Sequence, residues 1–266
     1  MEIFGVEKPI VGMVHLPPLP GSPSYRSLSL DRISERAVQD AKHLESGGVD
    51  GLMVENFGDA PYLKMNVGAE TISTMTLAVA DVVDVVKIPV GVNVLRNDVK
   101  AALAIAHIAG GKFIRANVFT DAVVTDQGVI EASAPELLRY RRYLRADAIE
   151  IFADVHGKHG TLLSPRAIEQ SAMDAAYRGL ADALIVTGPR TGVEPELEDL
   201  MKVKKAVPDR PVFVGSGIDR GNVTKFLKHA DGAIVGTSLK AGGVVDNPVD
   251  EKRVKALMAA VKELRR

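Results

Sequence analysis

Eight short apolar, β-branched runs recur along the chain, at 9–16, 51–56, 89–95, 112–119, 148–155, 183–188, 211–217 and 232–237. Runs of this length and composition read as strands buried on both faces. Segments with apolar residues at helical spacing follow them, at 31–46, 71–86, 98–109, 135–144, 165–178, 196–206, 222–229 and 250–264. Strict β/α alternation with eight strands predicts an α/β fold of the (β/α)8 TIM-barrel class. A doubly wound sheet also alternates, but it rarely needs eight strands joined by such similar turns.

A degenerate repeat supports the count. His43-Leu-Glu-Ser-Gly-Gly-Val-Asp-Gly, His107-Ile-Ala-Gly-Gly-Lys-Phe, Tyr177-Arg-Gly-Leu-Ala-Asp-Ala and His229-Ala-Asp-Gly-Ala share one plan, in which a helix ends on glycine and a buried strand begins. His43, His107 and His229 therefore sit at the end where barrels keep stability rather than chemistry. At 266 residues with 46% apolar content and no linker-like tract, the chain fits one barrel domain spanning 1–266.

A net charge of −1 gives no basic footprint for nucleic acid. With no cysteine, disulfides and thiolate chemistry are excluded. The stretch 75–86 is too short to cross a membrane and carries Asp81 and Asp84. The N-terminus lacks the basic and apolar regions of a signal peptide, so the expected location is cytoplasmic. The expected partners are small molecules and further copies of the chain, as a homo-oligomer.

A barrel builds its site from the C-terminal ends of its strands, and here those ends are polar. They present His15; Glu55 and Asn56, followed by Asp59; Asn93 and Arg96; Arg115 and Asn117; and the dense run Asp154-Val-His156-Gly-Lys158-His159. Alternation puts Arg115 with Asn117 on one face, and Asp154 with His156 on another. Glu55, Asp154 and His156 are the candidate acid/base groups, since a partly dry mouth moves such pKa values toward neutrality. His15 and His156 would orient substrate, and Arg115, Asn117, Asn93 and Arg96 would bind it and stabilise developing negative charge. Lys158 offers Schiff-base or electrostatic chemistry, although a lysine on a glycine-rich loop is ordinarily solvated. No cofactor is expected. The alternative is a divalent metal held by His15, Glu55, Asp154 and His156, residue types suited to zinc, manganese or iron.

The last two strand ends are glycine-rich: Val-Gly215-Ser216-Gly217-Ile and Val-Gly236-Thr237-Ser. Paired turns of this kind after strands seven and eight are where barrels hold phosphate. Glycine admits a close anion, and backbone N–H groups at the following helical turn point at it. Thr187 and Gly188 would form a third side. Two further segments fall on the mouth: the proline-rich loop 17–25, a lid or subunit contact from which Ser22, Tyr25 and Arg26 could reach a ligand, and a turn or hairpin within 120–134.

The opening Lys8-Pro-Ile-Val-Gly-Met-Val-His-Leu-Pro-Pro-Leu-Pro-Gly-Ser-Pro-Ser-Tyr25 resembles the N-terminal signature of the BtpA family, which includes SgcQ-like proteins. Gly-Gly-Val-Asp-Gly-Leu-Met-Val-Glu-Asn-Phe-Gly-Asp-Ala-Pro-Tyr, Gly-Val-Asn-Val-Leu-Arg-Asn-Asp, Phe-Ile-Arg-Ala-Asn-Val-Phe and Ala-Asp-Val-His-Gly-Lys-His extend the likeness over nearly the whole chain. The resemblance implies a phosphate-binding barrel of the ribulose-phosphate-binding-like type. It carries no settled reaction; the family is named for a cyanobacterial protein needed for photosystem I accumulation. A weaker resemblance, on Val-Gly-Ser-Gly-Ile-Asp and Ala-Asp-Gly-Ala-Ile-Val-Gly-Thr-Ser, links the last two strand ends to tryptophan synthase α subunits, with Glu55 and Asp59 in places comparable to their acidic residues. Residues and resemblance together give the expected function: a lyase, isomerase or epimerase acting by proton transfer on a small phosphorylated metabolite. The alternatives are a non-enzymatic biogenesis protein on the same scaffold and a metal-dependent barrel enzyme.

Overall fold

The computed structural model describes residues 2–265. Its strands in chain order are β1 (Ile10–His15), β2 (Gly51–Glu55), β3 (Val90–Asn93), β4 (Phe113–Ala116), β5 (Val123–Thr125), β6 (Gly128–Ile130), β7 (Glu150–Val155), β8 (Gly160–Leu162), β9 (Ala183–Thr187), β10 (Val212–Gly215) and β11 (Gly232–Val235). Eight of them close a parallel barrel in the order β1-β11-β10-β9-β7-β4-β3-β2. A helix follows each barrel strand: α1 (Leu30–Gly47), α2 (Ala69–Val85), α3 (Val99–Ala109), α4 (Ala134–Leu144), α5 (Ile168–Met173), α6 (Leu197–Ala206), α7 (Val223–Leu227) and α8 (Glu251–Leu264). This is the expected TIM barrel. No helix among the described residues is long and apolar enough to cross a membrane.

Two apolar layers hold it. Residues facing out of the strands, such as Ile10, Val14, Leu52 and Val92, pack against the helices. Residues facing inward, among them Val11, Met13, Met53, Phe113, Phe152, Ile185, Phe213 and Ile234, fill the barrel axis. Phe4 enters from the N-terminal end, its ring centroid 5.7 Å from that of Phe113 and 6.1 Å from that of Phe213. Burying such a ring in place of water stabilises by about 1.5–3 kcal/mol.

The degenerate repeat has a physical reading at this end. Asp50, Asp182 and Asp231 accept the backbone N–H of Ile10, Ile151 and Val212 at 2.8, 2.8 and 2.7 Å, each reaching the neighbouring strand in the barrel. Each aspartate also meets a cation: Arg265, Arg141 or Lys204. The donors at these strand starts are thus satisfied.

The expected hairpin forms as β5 and β6, and β8 joins it to make a three-stranded antiparallel sheet. β8 follows the glycine-rich loop after β7 and has only three residues, too short for a periodic signal. The helix expected at 165–178 is divided into α5 and a π-helical turn over 174–178.

Candidate active site

The inward parity that fills the core also delivers the site. Continuing each inward row by two residues leads from Met13 to His15, Met53 to Glu55, Phe113 to Arg115, Phe152 to Asp154 and Ile234 to Gly236. The apolar layers thus end in a polar one at the C-terminal mouth.

Arg115 and Asp154 form its base. Nε and Nη2 of Arg115 donate to the two Asp154 carboxylate oxygens at 2.8 and 2.9 Å, a bidentate pair with both side chains buried. Asn117 donates to the same carboxylate at 3.1 Å, and Asn93 donates to Asn117 Oδ1 at 3.0 Å. Arg115 and Asn117 therefore share a face as expected. The expectation of Asp154 as a free acid/base group is corrected, because its oxygens are committed to Arg115 and Asn117. Of this layer only Arg115 lines the cavity above; Asn93, Asn117, Asp154 and Thr187 lie outside its walls. The arginine keeps its charge, since the Asp154 pair outweighs the cost of burial.

Above it stand His15, Glu55 and Lys158. The His15 ring stacks on Phe57 at 4.5 Å, with Nε2 3.8 Å from Glu55 Oε1. Burial, reinforced by the charges of Lys240 and Lys158, holds its pKa well below the ordinary histidine value, so the imidazole is neutral at pH 7. Lys158 is not a solvated loop lysine. Its side chain is turned into the mouth, and burial beside Arg115 lowers its pKa to about 8. Arg96 donates to the Lys158 carbonyl, tying the ends of β3 and β7 together.

These residues share a cavity of about 160 Å³ with both glycine-rich turns; its walls include Glu55, Arg115, Lys158, Ser216, Gly217, Gly236 and Thr237. An outer chamber of about 880 Å³ opens from it past Glu55, Phe57 and Lys158, and adds Tyr62, Arg96, Asp126, His159 and Arg190. Gly217 takes φ +61, and a Cβ there would fall 2.2 Å from the Glu194 amide nitrogen, so only glycine fits under that loop. A Cβ on Gly236 would lie 3.3 Å from the His15 ring, which measures how closely this glycine-rich turn abuts the His15 side chain. The amides of Gly217, Ile218 and Thr237 donate to no group among the described residues. Asp219, also on the wall, is turned back onto the amides of Gly221 and Asn222. Gly215 lies beneath the wall rather than on it.

Other expectations are corrected. His156 lies beyond the end of β7 with φ +52, which breaks the alternation and sends its ring to Ser171 on α5 at 3.1 Å. It does not line the cavity, so the metal set His15, Glu55, Asp154 and His156 is not assembled. Among the described residues no cluster of three or more His, Asp or Glu side chains could hold a metal ion. Asp59 is a clamp rather than an acid: it accepts from the Leu19 amide at 2.8 Å and from Asn56 at 2.9 Å, which pins the proline-rich loop. Tyr25 is turned to the Leu28 carbonyl, and neither it nor Ser22 or Arg26 lines the chamber. Asn56 and Asn97 accept the amides of Leu95 and Val118, stitching one strand exit to the next.

The sequence reading missed the Lys240–Asp40 pair, 3.1 Å apart and fully buried, whose lysine charge acts on His15. One signal was available: Asp40 falls on the apolar stripe of α1 made by Ile33, Ala37, Ala41 and Leu44. Nothing local marks Lys240, which follows a short turn after β11.

Comparison with known proteins identifies the lineage. The BtpA family model matches residues 6–263. The photosystem I biogenesis protein BtpA of Synechocystis is 46% identical over 262 residues, covering 98% of this chain and 91% of that protein. An uncharacterized protein of Pyrococcus horikoshii is 45% identical over 258 residues, covering 97% of each. Among solved structures, phosphoribosyl anthranilate isomerase from Thermus thermophilus superposes with a TM-score of 0.58 at 13% identity, over 96% of this chain and 99% of that one, a likeness of fold. The match along almost its entire length shows that this chain belongs to the BtpA family.

Proposed function

We propose that the protein is an enzyme that moves a proton on a small phosphorylated metabolite, as a lyase, isomerase or epimerase. One observation carries the reading: the two glycine-rich turns and the cluster Glu55, His15, Arg115 and Lys158 line the same cavity. A phosphate on the free amides of Gly217, Ile218 and Thr237 would fix one end of the substrate. Its reacting carbon would then lie over Glu55, the carboxylate in the cavity wall suited to take a proton. Arg115 Nη1, which has no protein partner among the described residues, supplies a fixed positive charge where an enolate oxygen would develop. Its orientation is set in advance by Asp154, so little reorganisation accompanies the reaction. Neutral His15 can donate a hydrogen bond without adding charge, as a polarising group does beside a forming oxyanion.

The same charge-lined cavity argues against an inert scaffold, for which an unpaired lysine in the mouth is only a cost. The names of other solved barrels with this fold, such as phosphoribosyl anthranilate isomerase, are consistent with the phosphate end. A thermal-shift series tests the reading. Inorganic phosphate or a sugar phosphate at a hundredfold excess over its dissociation constant should stabilise the protein by about 2.7 kcal/mol. Thr237→Glu, which puts a carboxylate into the cradle, should abolish the response. A panel of phosphorylated aldoses, ketoses and aromatic phosphate esters that stabilises neither protein would overturn it.

A further inference from the structure

Lys158 is the group in the mouth that proton transfer by Glu55 does not require. Its position is built. Gly157 before it packs so tightly on the Asn117 carbonyl that a Cβ would lie 2.8 Å from that oxygen. His156 and His159 on either side adopt left-handed backbone, with φ of 52° and 59°. Their rings turn away, His156 to Ser171 and His159 to Thr191, 3.0 Å from its hydroxyl. Arg96 holds the Lys158 carbonyl. Of this loop only Lys158 reaches the inner cavity, at its junction with the outer chamber, whose wall His159 joins from the side. Among the described residues its ammonium nitrogen has no hydrogen-bond or ion-pair partner, whereas the fully buried Lys240 is paired with Asp40.

We infer that Lys158 is a covalent catalytic residue that forms an imine with the carbonyl carbon of a phosphorylated aldehyde or ketone. This deepens the proton-transfer reading and rests on it, because the phosphate cradle and Glu55 supply the anchor and the base. The nitrogen lone pair of the neutral amine attacks the carbonyl carbon and a C–N bond forms. The carbonyl oxygen takes one proton from that nitrogen and one from solvent and leaves as water, giving a protonated C=N bond. That cation draws electrons from the adjacent carbon, whose proton Glu55 accepts to give an enamine. Reprotonation at carbon and addition of water return product and free lysine, with no net oxidation or reduction.

The surroundings favour the neutral amine. Arg115 and Arg96 oppose a third positive charge, while Glu55 and Asp154 balance the cation once the imine forms. With a pKa near 8 set by burial and these arginines, the neutral fraction at about pH 7 exceeds that of an ordinary lysine about 200-fold. Imine formation should follow that fraction and fall off below about pH 8.

Borohydride trapping is the test. The full chain is incubated with dihydroxyacetone phosphate or glyceraldehyde 3-phosphate, reduced with sodium borohydride and mapped by peptide mass spectrometry. A stable adduct should appear on Lys158 at least about tenfold above that on any surface lysine. It should be lost in Lys158→Arg with an unchanged melting temperature, and suppressed by inorganic phosphate. Adduct spread evenly over surface lysines, or none at Lys158 with either probe, overturns the inference. If phosphate stabilises the protein yet Lys158 is not modified, the imine fails and the phosphate site stands. If Lys158 is modified but phosphate gives neither protection nor stabilisation, the imine stands and the cradle fails.

Discussion

The two ends of this barrel are built from the same strands and show opposite treatment of charge. At the closed end, Asp50, Asp182 and Asp231 each meet a backbone donor and a cation, and four phenylalanines fill the axis. At the open end, Arg115 is paired, but Glu55, Lys158 and the amides of the last two turns face a cavity without protein partners of comparable strength. The closed end satisfies its polar groups within the protein. On the proposed function the open end leaves them for a ligand, at a cost in free energy.

Substitutions at the closed end should therefore lower stability and leave ligand response intact. Phe213→Ala removes a ring from the axial cluster and should cost about 3–5 kcal/mol in chemical denaturation, with the phosphate midpoint of the folded protein unchanged. A loss of phosphate response at equal folded fraction would break the separation of the two ends. Asp50→Ala strips a partner from the Ile10 amide and from Arg265, and should cost about 1–3 kcal/mol.

At the open end the signs reverse. His15 is held neutral in the folded state, whereas the unfolded chain takes up its proton below about pH 6.5. Because the unfolded state binds more protons there, stability falls as pH drops, by about 1.4 kcal/mol per pH unit until the folded imidazole also titrates. His15→Gln should flatten that slope in denaturation curves from pH 7 to 5. The smallest effect belongs to Lys158. Its folded pKa of about 8 lies below the unfolded value of about 10.4, so the charged form is penalised in the fold at neutral pH. Lys158→Met should stabilise by about 1 kcal/mol at pH 7 after allowance for screening in the open mouth, and the gain should vanish above about pH 10.

The barrel was legible because buried parallel strands read as continuous apolar runs and the αβ turns repeat. The site was legible in part for the same reason: period-two alternation within a strand places Glu55 and Arg115 by extension of the core rows. Alternation fails where the strand stops. His156 is two residues from Asp154, yet a left-handed φ turns it to Ser171, and Lys158 comes in instead. Pairing across strands was also out of reach. Asp154 looks like a free carboxylate in sequence, and only the neighbouring β4 shows that Arg115 and Asn117 occupy its oxygens. Lys240 and Asp40 lie 200 residues apart and are brought together solely by barrel closure.

The central claim is that Glu55 moves a proton on a ligand anchored by the last two strand ends. Solvent deuterium wash-in, followed by NMR on each phosphorylated compound that raises the melting temperature, measures this directly. The expected result is exchange at the carbon next to the carbonyl in at least one of them, reduced about 100-fold or more by Glu55→Gln with binding retained. Absence of exchange in every stabilising compound, or exchange that survives Glu55→Gln undiminished, would contradict the account.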